Sequence, residues 1–131
     1  MIHALDTSVI VDLLRGKDPA LARNFLSRNP TNYSVPEMVR AELLFGAALS
    51  TRQIENTRLL EAFLAPLALV PFQGESCAHY ADIRAQLQRS GNPIGPNDLI
   101  IAATARAHGH TLVTRNMAEF SHVPGLALAA W

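Results

Sequence analysis

The 131-residue chain has one cysteine, one tryptophan and one lysine, only 6% aromatic residues, and no net charge. A lone Cys77 excludes an internal disulfide, and it lacks the Cys and His neighbours of a structural zinc site, which fits a reducing, cytoplasmic setting. Eleven basic residues against eleven acidic ones exclude a polybasic nucleic-acid binder or a membrane-surface module recognised by bulk charge. The longest charge-free run, between Glu61 and Glu75, is too short to span a bilayer. The opening MIHALDTSVIVDLL carries Asp6 and Asp12 and no basic leader, so neither export nor membrane insertion is expected. No GxGxxG, GxxxxGK[ST] or GxSxG pattern occurs, which argues against dinucleotide binding, nucleoside-triphosphate binding and a serine-hydrolase elbow.

What is present is enough apolar material to fold. Hydrophobic residues make up 49% and charged ones 17%, which rules out disorder and points to one domain spanning 1–131. The basic set is almost all arginine, Lys17 being the exception, and arginine suits bidentate phosphate contact and base stacking.

Residues 2–5 read as a short buried strand, after which Asp6, Thr7 and Ser8 can cap a helix ending near Gly16. A polar helix over 18–28 leads to a strand at Tyr33–Val35, and helices follow from Pro36 towards Ser50 and over 52–64. Leu67–Phe72 reads as a buried strand and 75–90 as a long amphipathic helix stopped by Ser90-Gly91-Asn92-Pro93. Past the stiff loop Pro93-Ile94-Gly95-Pro96, with Gly95 or Asn97 as cap, DLIIAATARAHG forms a helix that Gly109 ends in a left-handed conformation. Thr111–Thr114 and Leu126–Ala129 are the last strands. Short apolar strands alternating with helices predict an α/β fold with a mostly parallel sheet of about five strands.

Most acids lie among polar neighbours, and four do not. Asp6 follows the first strand, at the carboxyl end where open α/β sheets place their ligands, although helix capping alone would also explain it. Glu42 lies about 60° from Val39, on the margin of the apolar face of Val39, Leu43 and Ala47, where a snorkelling surface glutamate is the plainer account. Asp98 opens its helix on the side of Ile101, Ala102 and Ala105, where dipole stabilisation is the plainer account. Glu119, with Asn116, hangs off the strand TLVT. Strand ends of one parallel sheet share an edge, and acids gathered there repel unless protonated or bridged by cations. An oxygen-rich set without Cys or His suits Mg²⁺ or Mn²⁺. His3, His79, His108, His110 and His122 have no metal-ligand spacing and read as surface or core residues.

In LDTSVIVDLL, VRAELLFGA, IRAQLQRSGNPIGPNDLIIAATARAHG, LVTRNMAEF and PGLALAAW, in that order over nearly the whole chain, the sequence resembles the PIN-domain ribonucleases, specifically the VapC toxins of bacterial toxin–antitoxin pairs. The resemblance implies a three-layer α/β sandwich and a metal-dependent endoribonuclease that inhibits translation and growth. It also implies that Asp6, Glu42 and Asp98 hold Mg²⁺, with Mn²⁺ able to substitute, and that the last acidic position is filled by Glu119 or by the amide oxygen of Asn116. Thr7, Ser8 and Thr114 fall on hydroxyl positions that orient carboxylates or metal-bound waters. Arg115, next to the site in sequence, is the first choice for a phosphate contact. Implied partners are a VapB-type antitoxin, an RNA substrate (tRNA, initiator tRNA included, or a ribosomal RNA loop), a second toxin copy, and operator DNA reached only through the antitoxin. The apolar Leu43, Leu44, Phe45 and Leu60 either form a pairing or docking surface on the two middle helices or belong to the ordinary core. An alternative is a catalytically idle PIN scaffold that works through antitoxin and operator binding, motivated by Asn116 where many PIN domains carry Asp.

Overall fold

The computed structural model describes residues 1–131. In chain order the elements are β1 (His3–Leu5), α1 (Thr7–Arg15), α2 (Pro19–Leu26), β2 (Tyr33–Pro36), α3 (Glu37–Leu49), α4 (Gln53–Leu64), β3 (Ala68–Val70), α5 (Glu75–Ser90), α6 (Pro96–Ala107), β4 (Thr111–Val113), α7 (Met117–Phe120) and β5 (Leu128–Ala129). All strand pairs are parallel, in the order β3-β2-β1-β4-β5. The chain therefore winds one way from β1 through β3 and the other way from β4 to β5. Right-handed crossovers place α1–α4 on one face and α5–α6 on the other, giving the three layers that the sequence implies. No helix is long and apolar enough to cross a membrane.

The core lies between these layers. Leu5, Ile10, Val35, Val39, Ile101 and Leu112 are completely buried. β1 is buried at all three positions, as expected of a central parallel strand covered on both faces. β3 departs from the sequence reading: it is shorter than Leu67–Phe72, and Ala68 and Leu69 are exposed, because β3 is an edge strand. Two short elements were not anticipated. A 3-10 turn at Pro30–Asn32 delivers the chain into β2, and α7 follows β4; three or four residues are too few to show a helical period.

Helix boundaries follow local chemistry. Asp18 caps α2 by accepting the Leu21 N–H at 3.1 Å, one residue ahead of Pro19 in the first turn. Pro96 opens α6 behind Gly95, so Gly95 rather than Asn97 is the cap residue. Gly109, at φ +67°, turns the chain out of α6 towards β4, and the His110 N–H reaches back to the Ala105 carbonyl at 3.0 Å.

Candidate active site

Strand order reverses around β1, the topological switch point of the sheet, and a crevice opens there beyond the carboxyl ends of the strands. Four segments separated in sequence bring acids to it. Asp6 caps α1 directly after β1. Glu42 stands on the second turn of α3, Asp98 on the first turn of α6, and Glu119 on α7 after β4.

Asp6 is 4% exposed, and both of its oxygens accept hydrogen bonds. Oδ1 accepts the Thr7 N–H at 2.8 Å, while Oδ2 accepts the Thr114 hydroxyl at 2.7 Å and the Ser8 hydroxyl at 3.2 Å. Capping and site-building are thus the same arrangement, since the β1-to-α1 junction that needs a cap also faces the crevice. Burial pushes the Asp6 carboxyl above its ordinary range, and these three donors oppose that rise. The Thr7 hydroxyl donates to Glu42 Oε1 at 2.7 Å, and the Asn97 amide approaches Glu42 Oε2 at 3.4 Å. A contact between α3 and α6 closes the crevice at this point.

Glu119 reaches into the cluster. Its Oε1 accepts the Gly95 N–H at 2.8 Å, and its Oε2 accepts the Asn116 side-chain amide at 2.7 Å. Asn116 thus donates to Glu119 through its amide nitrogen. A Cβ on Gly95 would lie 3.8 Å from Asp98 Oδ2 and 3.9 Å from Glu119 Oε1, so this backbone sits directly against both carboxylates. Asp98 has the most acidic surroundings: burial, a hydrogen bond shared with Glu119 and the charges of Glu119, Asp6 and Glu42 raise its pKa to about 7. Glu119 moves the opposite way, lowered first by its hydrogen bond with Asp98 and then by Gly95. The shared hydrogen bond thus shifts the two carboxyls in opposite directions, Asp98 up and Glu119 down.

The mutual repulsion of these acids bears on whether a cation fits. As they stand, the acidic side chains form no group of three that could hold a metal ion, and Thr7, Ser8, Thr114, Gly95 and Asn116 donate hydrogen bonds to the oxygens of Asp6, Glu42 and Glu119. The donor set is nevertheless all oxygen, and the neighbouring charges of Glu119, Asp6 and Glu42 disfavour a further negative charge at Asp98. A hard divalent ion placed among these oxygens would offset that repulsion. The residues fit such an ion.

Other polar residues have structural employment. His110 Nδ1 lies 2.8 Å from the Ser34 hydroxyl, and His79 Nδ1 accepts from Arg106 at 2.8 Å. Cys77 is exposed on α5. Arg115 engages Asp12 and Asp18 through its guanidinium. Sequence reasoning missed Asn97 and the Gly95 N–H as partners of the acids. The signal for both was the rigid run Gly95-Pro96-Asn97 directly before Asp98.

The family model described as PIN domain matches residues 4–126. The chain belongs to the PIN-domain family. It is 35% identical to Ribonuclease VapC2 of Rickettsia felis, over 100% of this chain and 98% of that protein. It is 31% identical to the tRNA(fMet)-specific endonuclease VapC of Salmonella typhimurium, over 97% and 96% of the two chains. The solved structure of VapBC2 from Rickettsia felis, bound to a DNA fragment from its promoter, superposes with a TM-score of 0.92 at 34% identity, covering 100% of this chain and 99% of the other. Within the PIN-domain family, then, the chain sits with the VapC proteins, as its sequence motifs indicated.

Proposed function

We propose that this chain is a divalent-metal-dependent endoribonuclease and the toxin of a toxin–antitoxin pair, hydrolysing RNA phosphodiester bonds and so arresting translation and growth. The observation that carries this reading is the convergence of Asp6, Glu42, Asp98 and Glu119 from four segments on one sheet edge, with Asp98 protonated up to about pH 7. Such a set suits Mg²⁺, with Mn²⁺ as a substitute. A bound ion supplies a lower pKa for attacking water, in-line orientation and charge neutralisation at the phosphate. Asp6, Glu42, Asp98 and Glu119 would hold it. Thr7, Ser8, Thr114 and Asn116 fix the carboxylate oxygens so that little reorganisation is left for the reaction itself. Asn116, the residue that motivated the idle-scaffold alternative, donates to Glu119.

The substrate named for the Salmonella relative supports a tRNA target, and a ribosomal RNA loop is the alternative. The promoter-bound VapBC2 complex supports a VapB-type antitoxin and operator contact through it. A groove of about 490 Å³ between α1, α3 and α4 fits an apolar antitoxin segment; Val11, Leu14, Leu43 and Leu59 line it, and Thr7 and Glu42 close its inner end. An occupant of this groove reaches the acid cluster. Of the apolar residues singled out from sequence, Leu43 and Leu60 are core, whereas Phe45 is exposed along with Leu49 and Ile54, which supports pairing of two copies through α3 and α4. We further take 1–131 as one domain working in the cytoplasm.

The test is cleavage of total tRNA and ribosomal RNA by antitoxin-free protein with Mn²⁺, with EDTA, and with Asp98→Asn prepared identically. Discrete fragments absent from both controls are expected. Folded protein that yields no metal-dependent fragment from either RNA would overturn the reading in favour of the scaffold.

A further inference from the structure

Arg115 leaves β4 beside the acid cluster, yet its guanidinium is turned away from it. Nε lies 3.3 Å from Asp12 Oδ2 on α1, and Nη2 donates to Asp18, the cap of α2. The side chain is only 33% exposed, so these pairs are partly shielded from water. Its backbone points the other way: the Arg115 N–H donates to the Ser8 hydroxyl at 3.2 Å, and that hydroxyl donates to Asp6 Oδ2, also at 3.2 Å. The flanking residues complete the enclosure. Thr114 donates to the same Asp6 oxygen, and the Asn116 N–H donates to the Thr114 hydroxyl at 2.9 Å.

We infer that Arg115 is a positioning residue for Asp6: Asp12 and Asp18 clamp its guanidinium, which fixes the 114–116 turn against α1 and with it the Ser8 and Thr114 hydroxyls that aim Asp6. The guanidinium's charge is already met by two carboxylates, so phosphate binding would require breaking both pairs. A planar fork can span two acids on two helices, whereas an ammonium satisfies only one of them well. Arg15 and Lys17, which share the pocket of Asp12 and Asp18, are the other cations beside the clamp. The role in catalysis rests on the proposed ribonuclease; the clamp itself does not.

The two roles for Arg115 predict opposite signs, which makes the test decisive. Positioning predicts that Asp12→Asn/Asp18→Asn and Arg115→Ala each lower kcat by about tenfold with KM little changed, as expected when a support of a metal-binding carboxylate is lost. Combining them adds nothing, because all break one unit. Arg115→Lys recovers part of the loss. A phosphate contact predicts instead that removing Asp12 and Asp18 frees the arginine, lowering KM and steepening the salt dependence, while Arg115→Ala raises KM; that result would overturn the inference.

Two further readouts use the protein without RNA: calorimetric Mn²⁺ affinity and hydrogen-exchange protection of the Arg115 amide. Equal loss of affinity and protection in Arg115→Ala and in the Asp12/Asp18 variant supports the clamp, even if the wild type cleaves nothing and the ribonuclease reading fails. Unchanged values in both variants would overturn it.

Discussion

β1 carries a buried ionisable residue at its start, His3, and is followed by another, Asp6, and the two ends of this short strand treat them differently. At the amino end His3 packs among aromatic rings, with Trp131 at 5.2 Å and Tyr33 at 6.4 Å between centroids, and its Nδ1 has no partner. Tyr33 stacks on Phe25 at 4.7 Å, and the Arg28 guanidinium lies 4.3 Å over the Trp131 ring. At the carboxyl end every Asp6 oxygen has a donor and three more acids stand nearby. Burial disfavours the charged form of both groups, lowering the His3 pKa and raising that of Asp6. The amino end resolves this by keeping the ring neutral within packing. The carboxyl end keeps its charges close, which suits the proposed metal-dependent ribonuclease but weakens the fold there.

The sharpest way to separate the ends is to mutate each and read both stability and activity. Asp98→Asn removes a carboxylate from the cation-holding set, and cleavage should fall on the order of 10³-fold in single-turnover assays, the equivalent of several kcal/mol of transition-state stabilisation. The same variant should melt above the wild type at pH 8, because it relieves repulsion with Glu119, Asp6 and Glu42. Tyr33→Ala should do the reverse. It deletes a ring that is 1% exposed and a hydroxyl bonded to the Phe25 carbonyl at 2.7 Å, at a cost of about 3–5 kcal/mol in denaturant unfolding. Cleavage per folded molecule should stay near wild type. If Tyr33→Ala instead lost activity ahead of stability, the two ends would not be independent.

The ends should also respond to pH in opposite directions in the metal-free protein. Asp98 is protonated in the fold up to about pH 7 but ionises near pH 4 when unfolded, so the folded state binds the extra proton in that window and stability falls as pH rises through it. His3 has a lowered pKa in the fold, so the unfolded chain binds the extra proton and stability falls as pH drops below about 6.5. Melting temperature against pH should therefore lose its decline towards pH 7 in Asp98→Asn and its acid-side loss in His3→Phe. A profile unchanged by Asp98→Asn would mean that the Asp98 carboxyl is not shifted upward in the fold.

Much of this arrangement was legible in the sequence because it follows local rules. Asp6 and Asp98 stand out as acids at a strand end and a helix start, and Glu42 as an acid on the margin of an apolar helix face. The bonds that hold Glu119 were less legible: one of its donors, Gly95, lies in a different loop. The Arg115 clamp was hidden for the same reason, since Asp12 and Asp18 lie about a hundred residues away in sequence. The exposed face of β3 was misread because an apolar run reveals burial propensity and not whether the strand lies at the edge.

The smallest effects lie within the acid end itself, where two neighbours of Glu42 differ in the quality of their contact. Thr7 donates at 2.7 Å from the first turn of α1, in a partly buried bond, while Asn97 sits at 3.4 Å in an exposed one. Hydrogen bonds weaken with distance and with competing water, so the first should hold the carboxylate and the second should only graze it. Thr7→Val, which keeps the side-chain shape, should lower cleavage about tenfold by freeing Glu42 to turn. Asn97→Ala should change cleavage by less than about threefold, a difference within the cost of one weak exposed hydrogen bond. Equal losses in the two variants would show that the α3–α6 contact through Asn97, and not the Thr7 bond, sets the position of Glu42 in the working site.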